Sequence, residues 1–399
     1  MACALTGYRL ALSQPAYRRL WLAALVSRTG DTINFTAVPL FVFGLTRSAG
    51  AVAAIVFAEG LGLIAGGLVA HLVVDRLQPR GLLIVLDLLR ATGAGFLIAF
   101  PVFPTALAVS ALLAVCTGVF SPVSNAVVPR LVPDRALPAA NGLQWTAGVV
   151  LQLVGAPLGG FLVSAGLARV AFGLNAVSFL GSSMLLMGLP RLTSSEDRPG
   201  YAWLQLGEGL RAIREVRILR PLAIIQGMAA LAVGATSALL VVLAQQAYGL
   251  NGAAYGLWLG TIAVGALIGP LLVPLLDRLA PPLVVSGAYI ARGLGDIGLG
   301  LLRSGPGGGV LLAIYGVNTS CGMVAFQTMI QRKVPAAVRG RAFALLDVVW
   351  QTGRLLSIAV GAGLVTAVGI RSLFLLGGVL LAFAGAFGVL SLRQPRAPA

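Results

Sequence analysis

The sequence predicts an all-α membrane protein: twelve transmembrane helices in two pseudo-symmetric six-helix bundles. Three observations carry this. Hydrophobic residues make up 58% of the 399 residues and charged residues only 10%, against roughly 25% charged in a soluble domain. The apolar residues come in long runs, and Val102–Phe120, Leu222–Val242 and Ser372–Leu390 contain no charge at all. The same dipeptide recurs 202 residues apart, at Asp75-Arg76 and Asp277-Arg278.

About 20 apolar residues cross a bilayer core as helix. There is no alternating barrel pattern, and helices satisfy their own backbone groups in lipid. Spans are expected near 18–45, 50–74, 82–102, 106–129, 138–165 and 170–190, then 220–247, 253–276, 283–303, 309–331, 341–367 and 371–392. The first follows Arg18 and Arg19 and is long enough to remain as a helix rather than a cleaved leader. The second carries Gly60, Gly62, Gly66 and Gly67, small residues of the kind that let membrane helices approach closely.

The same 202-residue offset relates Gly67 to Gly269, Arg90 to Arg292, Arg130 to Arg332 and Pro133 to Pro335. That register predicts a parallel duplication, with residues 1–190 and 220–399 as the two bundles. Parallel six-helix repeats are a transporter architecture with the substrate site between repeats. The polar segment 191–219 joins them. Its Leu206, Leu210, Ile213 and Leu219 fall near one helical face, which reads either as a helix lying on the membrane surface or as a solvated connector.

The net charge of +16 is distributed by side rather than clustered. Segments predicted on one side of the membrane hold most of the arginines, while the other side holds Arg47, Arg169, Arg303 and Arg371. This is the positive-inside pattern, and it predicts a multi-pass protein of the bacterial inner membrane with both termini cytoplasmic. It excludes nucleic acid as the reason for the charge. The three cysteines have no pairing or metal-ligand spacing, so no metal and no cofactor is expected. A single histidine, His71, leaves no catalytic triad, and Lys333, the only lysine, sits in no phosphate-binding loop. An enzyme is not expected, nor is ATP as the energy source.

An ionisable group at the bilayer centre costs roughly 2.5–3.5 kcal/mol on insertion scales, so each one is a functional candidate. Asp31 lies about half-way through the first span, with Arg28 one turn away on the same face. It reads as a proton or substrate-cation site, or as half of a buried pair that fixes packing. Glu59 is equally deep in the neighbouring second span, and two carboxylates sharing a dry site would make a proton carrier. Asp87–Arg90 and Arg292–Asp296 read as self-paired charges on peripheral helices. Asp347, Gln351 and Arg354 fall on one face of the eleventh span at i, i+4 and i+7. Asn34, Gln144, Gln152 and Asn318, with Gln226 and Gln327, line a cavity or bond between helices.

Several stretches resemble the major facilitator superfamily. "HLVVDRLQPR" at 71–80 is similar to its loop pattern Gly-x-x-x-Asp-Arg-x-Gly-Arg-Arg/Lys; Asp75, Arg76 and Arg80 match, while His71, Gln78 and Pro79 depart. "GAPLGG", with Gly155, Pro157, Gly159 and Gly160, resembles the antiporter motif of exporters with one residue inserted. The stretches at 27–50, 121–142 and 331–345 resemble the branch that includes enterobactin exporters and macrolide-efflux proteins. The fourth span lacks the mid-span Arg found in many proton-coupled members.

The resemblance implies a cytoplasmic gate at Asp75, Arg76, Arg80, Arg130, Asp277, Arg278 and Arg332. It also implies a substrate cavity between halves. Together these readings predict a secondary active, proton-coupled exporter of small amphipathic organic molecules, such as a drug, siderophore or natural product, working by rocker-switch alternating access. The partners expected are the small-molecule substrate, H+ and membrane lipid; the chain is expected to be a monomer. A lipid or lysolipid flippase on the same fold and a non-transporting membrane sensor are the alternatives.

Overall fold

The computed structural model describes residues 2–73, 77–190, 216, 218–276, 281–334 and 336–392. Their regular structure is helical, with no strand among the described residues. Among them a short helix α1 (Ala2–Ser13) precedes twelve long ones. The first six are α2 (Pro15–Thr46), α3 (Ala49–Val73), α4 (Pro79–Ala99), α5 (Phe103–Leu131), α6 (Leu137–Ser164) and α7 (Ala168–Met187). The second six are α8 (Leu219–Ala238), α9 (Gly252–Leu276), α10 (Pro281–Leu301), α11 (Gly305–Lys333), α12 (Ala336–Val368) and α13 (Ile370–Ser391). A π turn, Leu243–Ala247, follows α8.

Among the described residues ten helices are long and apolar enough to cross a membrane. The two long helices outside that set are α2, which carries Arg28 and Asp31, and α10, which carries Arg292 and Asp296. The expected surface helix at 191–219 falls almost wholly outside the described residues.

Local chemistry explains where the helices begin and turn. Pro15, Pro79, Pro104, Pro138 and Pro306 sit in the first turns of α2, α4, α5, α6 and α11, where a missing N–H costs nothing. The turns from α6 to α7 and from α12 to α13 contain Gly166 and Gly369 at φ of +76° and +81°, a left-handed conformation that a side chain resists.

Contacts divide the chain into two units: Met1–Pro199 with Asn251–Gly260, and Gly200–Leu250 with Thr261–Ala399. Inside the first, α2 packs on α6 and α7, and α4 packs on α5 and α7. Inside the second, α8 packs on α12 and α13, and α10 packs on α11 and α13. The internal packing of one unit thus repeats in the other, as a duplication requires. Each unit also ties helix ends with one arginine. Arg19 donates to the Gly188 carbonyl. Arg371 donates to the carbonyls of Gly300 (2.9 Å), Leu302 (2.7 Å) and Ala247 (2.8 Å), meeting carbonyls that helix ends leave unpaired.

Helix association in lipid has no hydrophobic driving force between helices, so close van der Waals contact must hold them. The closest crossings are made of glycine. A Cβ on Gly118 of α5 would lie 2.6 Å from the Leu63 carbonyl and 3.0 Å from the Gly66 Cα of α3. In the second unit a Cβ on Gly269 of α9 would lie 2.7 Å from the Val317 carbonyl of α11. Gly118→Val is therefore expected to separate α3 from α5 and to cost about 1–3 kcal/mol, as overpacking does. Gly95→Ala, where nothing lies within 4 Å, should leave stability unchanged or raise it by up to about 1 kcal/mol. Thermal unfolding of the two variants in detergent tests the contrast.

Candidate functional site

In the first unit the site is built around Arg90 of α4, whose side chain is only 2% exposed. Its guanidinium lies over the rings of Phe120 (4.5 Å to the centroid) on α5 and Phe179 (4.6 Å) on α7. A cation held this far from water needs fixed negative charge. Asp87, one turn away on α4 and fully buried, supplies the tight contact to Nη2. Asp31, from α2, reaches Nη1 at 3.9 Å. Two carboxylates therefore share one guanidinium, and Arg28 is a further cation acting on Asp31.

The two carboxylates differ in access. Asp87 is sealed, while the Asp31 side chain is 35% exposed. Asp31 opens into a cavity of about 470 Å³ between α2 and α6, with Arg28, Thr32, Phe35, Gln144 and Gln152 on its wall. Arg28 donates from Nη1 to the Gln144 carbonyl at 3.0 Å.

The residues around Asp31 are held by close packing on both sides. Gly30 faces α7, where a Cβ would come within 2.6 Å of the Asn175 amide oxygen. Gly155 of α6 packs against Thr32, with a hypothetical Cβ 2.8 Å from the Thr32 Cβ, and Gly159 packs against Ile33 and Thr36. The same "GAPLGG" strip turns its other edge to residues 252–256: Gly160 meets the Gly252 carbonyl, and a Cβ on Gly256 would lie 2.8 Å from the Pro157 Cα. The motif is a close-contact strip for α2 and for the first turns of α9.

The structure departs from the sequence reading at several points. Asp87–Arg90 is not a self-contained pair, because Arg90 also receives Asp31. The charged neighbours of Asp31 are Arg90, Asp87 and Arg28; Glu59, half-buried on α3, is not on the wall of its cavity. The carboxylate sharing a site with Asp31 is thus Asp87. Sequence depth placed Glu59 beside Asp31, but depth does not fix rotation about a helix axis. Asn34 is buried and is likewise not on the cavity wall.

The second unit holds a cavity of about 450 Å³ among α8, α10, α11 and α12. Asn318, Asp347, Gln351 and Arg354 are on its wall, with Gln226 and Gln327. So is Arg292, which the sequence reading made peripheral. Arg292 pairs with Asp296 (3.2 Å) and lies over the Tyr315 ring at 3.4 Å. Tyr289, Tyr315 and Trp350 also line this cavity, and sequence reasoning did not single them out. The signal that could have found Arg292 was its 202-residue register with Arg90; nothing in the local pattern marked the aromatics.

Of the gate residues, Asp75, Arg76, Asp277 and Arg278 lie outside the described residues. Arg80 is half-buried in the first turn of α4, Arg130 is exposed in the last turn of α5, and Arg332 belongs to the end of α11.

Comparison with known proteins agrees with this architecture. The chain is similar to the enterobactin exporter EntS of Shigella boydii serotype 18 (strain CDC 3083-94 / BS512), 26% identical over 379 residues that cover 92% of this chain and 88% of the relative. It is equally similar to EntS of Escherichia coli O157:H7 (strain EC4115 / EHEC), at 26% over 379 residues and the same coverage. The fold matches the crystal structure of the nucleoside transporter NupG, with a TM-score of 0.76 at 12% identity over 94% of this chain and 99% of that one. It also matches a bacterial homologue of the iron transporter ferroportin in an inward-facing state, with a TM-score of 0.76 at 15% identity over 94% and 98%. The model of the Major Facilitator Superfamily matches residues 20–356 and 222–399. With this match across nearly its whole length, and with twelve long helices among the described residues and duplicated packing, the chain belongs to the major facilitator superfamily.

Proposed function

We propose that this transporter is a proton-coupled exporter of small amphipathic organic molecules in a bacterial inner membrane, with both termini cytoplasmic, working by alternating access. The observation that carries the coupling is the unequal sharing of Arg90. Asp87 holds it tightly and out of contact with solvent, so the Arg90–Asp87 pair is neutral by itself. Asp31 is the second, looser carboxylate, and it is the one of the two on a cavity wall, together with Arg28.

When Asp31 is ionised, Coulomb attraction in a low-dielectric site draws it to Arg90. When it takes a proton, that attraction is lost and the net charge of the cluster rises by one. Protonation thus changes how strongly α2 is held to α4. A change in net intramembrane charge and in one helix–helix tie is what a proton must do to bias a two-state carrier. The lack of a mid-span Arg on the fourth span is met here by Arg90 of α4, a cation reached from a different helix.

Export is supported by the similarity to enterobactin exporters and by the "GAPLGG" strip against α2. The orientation rests on the arginine asymmetry. The class of cargo rests on the wall of the second cavity, which mixes aliphatic and aromatic side chains with charged and amide groups.

Proteoliposomes carrying an imposed pH gradient test the coupling, with a panel of fluorescent amphipathic acids, amines and neutral compounds. Asp31→Asn should lower gradient-driven transport by about tenfold or more while retaining substrate exchange without a gradient. Full gradient-driven activity of Asp31→Asn would sink the assignment.

The charge sharing makes a second prediction, on stability. Arg90→Leu leaves Asp87 buried without its cation and should cost about 3–5 kcal/mol. Adding Asp87→Leu to it should restore most of that loss, because the uncompensated charge is gone. Unfolding midpoints of the single and double variants measure the difference; equal destabilisation by both would mean that Asp87 is not the permanent partner.

A further inference from the structure

The cavity of the second unit has a composition that selects a ligand. Tyr289, Tyr315 and Trp350 supply flat apolar surface on its wall. Two of its donors are buried without an acceptor, and a third is free to turn toward a ligand. The Tyr289 hydroxyl donates to Gln226 Oε1 at 2.9 Å, which uses that acceptor and leaves the Gln226 amide to donate. Asn318 Nδ2 and Arg354 Nε are buried and have no hydrogen-bond partner among the described residues.

The two arginines play different parts. Arg292 is committed: Asp296 neutralises it at 3.2 Å, and the Tyr315 ring lies under it at 3.4 Å. It belongs to the wall. Arg354 makes no ion pair within 4 Å among the described residues; Asp347, two turns along α12 and exposed on the same wall, acts on it at longer range. A guanidinium nitrogen and an amide nitrogen without acceptors, on one wall with aromatic surface, are complementary to an anion with acceptor oxygens on a flat ring.

We propose that this cavity binds a flat aromatic carboxylate, with Arg354 as its charge partner and Asn318 as an additional donor. A carboxylate accepts two parallel N–H bonds from a guanidinium, and the ring stacks on the aromatic wall. A buried donor left unpaired costs about 1–3 kcal/mol, which an acceptor-bearing ligand recovers and a plain hydrocarbon does not. An amine of the same shape brings further donors and a like charge to Arg354. This ligand class rests on the reading of the chain as a carrier of amphipathic molecules.

Isothermal titration of the full chain in lipid nanodiscs tests it with three probes of one shape: 1-naphthoate, 1-naphthylmethylamine and 1-naphthalenemethanol. The unmodified protein should bind naphthoate at least about tenfold more tightly than either of the others. Arg354→Gln should reduce naphthoate affinity to the level of the alcohol, and Arg354→Lys should restore part of it. Equal or tighter binding of the amine or the alcohol by the unmodified protein would overturn the proposal without recourse to any variant. Naphthoate binding unchanged in a folded Arg354→Gln chain would overturn it as well. Loss of naphthoate binding alongside intact gradient-driven transport of another compound removes the ligand class alone. Selective, Arg354-dependent naphthoate binding with no gradient-driven transport of any compound supports the ligand class and removes the coupling instead.

Discussion

A guanidinium in the middle of a helical bundle is the constraint around which the first unit is organised. Arg90 is always charged, so burial can be met only by bringing negative charge and polarisable surface to it. Asp87 comes from its own helix, Asp31 from α2, Phe120 from α5 and Phe179 from α7. Four helices thereby converge on one side chain. Around Arg90 itself two carboxylates meet one cation, and the proposed coupling rests on that unequal sharing. A structural pair needs one carboxylate; the second makes the cluster responsive, because one member can lose its charge without stranding the arginine.

The packing around that cluster limits what can move. Directly before Asp31, Gly30 lets α7 approach; directly after it, Thr32 and Ile33 receive Gly155 and Gly159 of α6. A side chain at any of these glycines would lift α2 from a neighbour. The helix that carries the responsive charge is thus clasped on two sides by close contact and drawn to α4 only by electrostatics. Van der Waals contacts of this kind are indifferent to protonation, whereas the tie to Arg90 is not. Change in proton occupancy therefore acts on one contact of α2 and leaves the others in place.

How much of this was legible in the sequence follows from what sequence periodicity encodes. Length and apolarity of the spans, the 202-residue register and the mid-span charges were all readable, because each depends on position along the chain. Arg28, Asp31, Gln144 and Gln152 do line one cavity, and Asn318, Asp347, Gln351 and Arg354 another. What could not be read was azimuth. Membrane helices here are apolar on every face, so there is no amphipathic stripe to say which way a given residue points. Glu59 was placed beside Asp31 by depth alone, and Asn34 was placed in the cavity by polarity alone; both depend on rotation. Asp87–Arg90 was read as closed because i, i+3 spacing is sufficient for a pair, and nothing local announces a third member arriving from α2.

The two units share an arginine at equivalent positions and have put it to different use. Arg90 is enclosed by two rings and two carboxylates, so no ligand can reach it. At the position equivalent to Asp31 the second unit has Val233, itself on the cavity wall. Without that second carboxylate Arg292 is balanced one to one by Asp296 and has no surplus charge to exchange. What the second unit retains is an accessible aromatic chamber with Arg354 and, at longer range, Asp347 on its wall. On the function proposed above, a duplicated bundle with an enclosed charge cluster in one copy and an open aromatic wall in the other separates two requirements that conflict within one site. A proton carrier needs a dry, enclosed charge cluster, whereas a cargo site needs open surface and unspent hydrogen-bond donors. Duplication lets each be met without compromising the other.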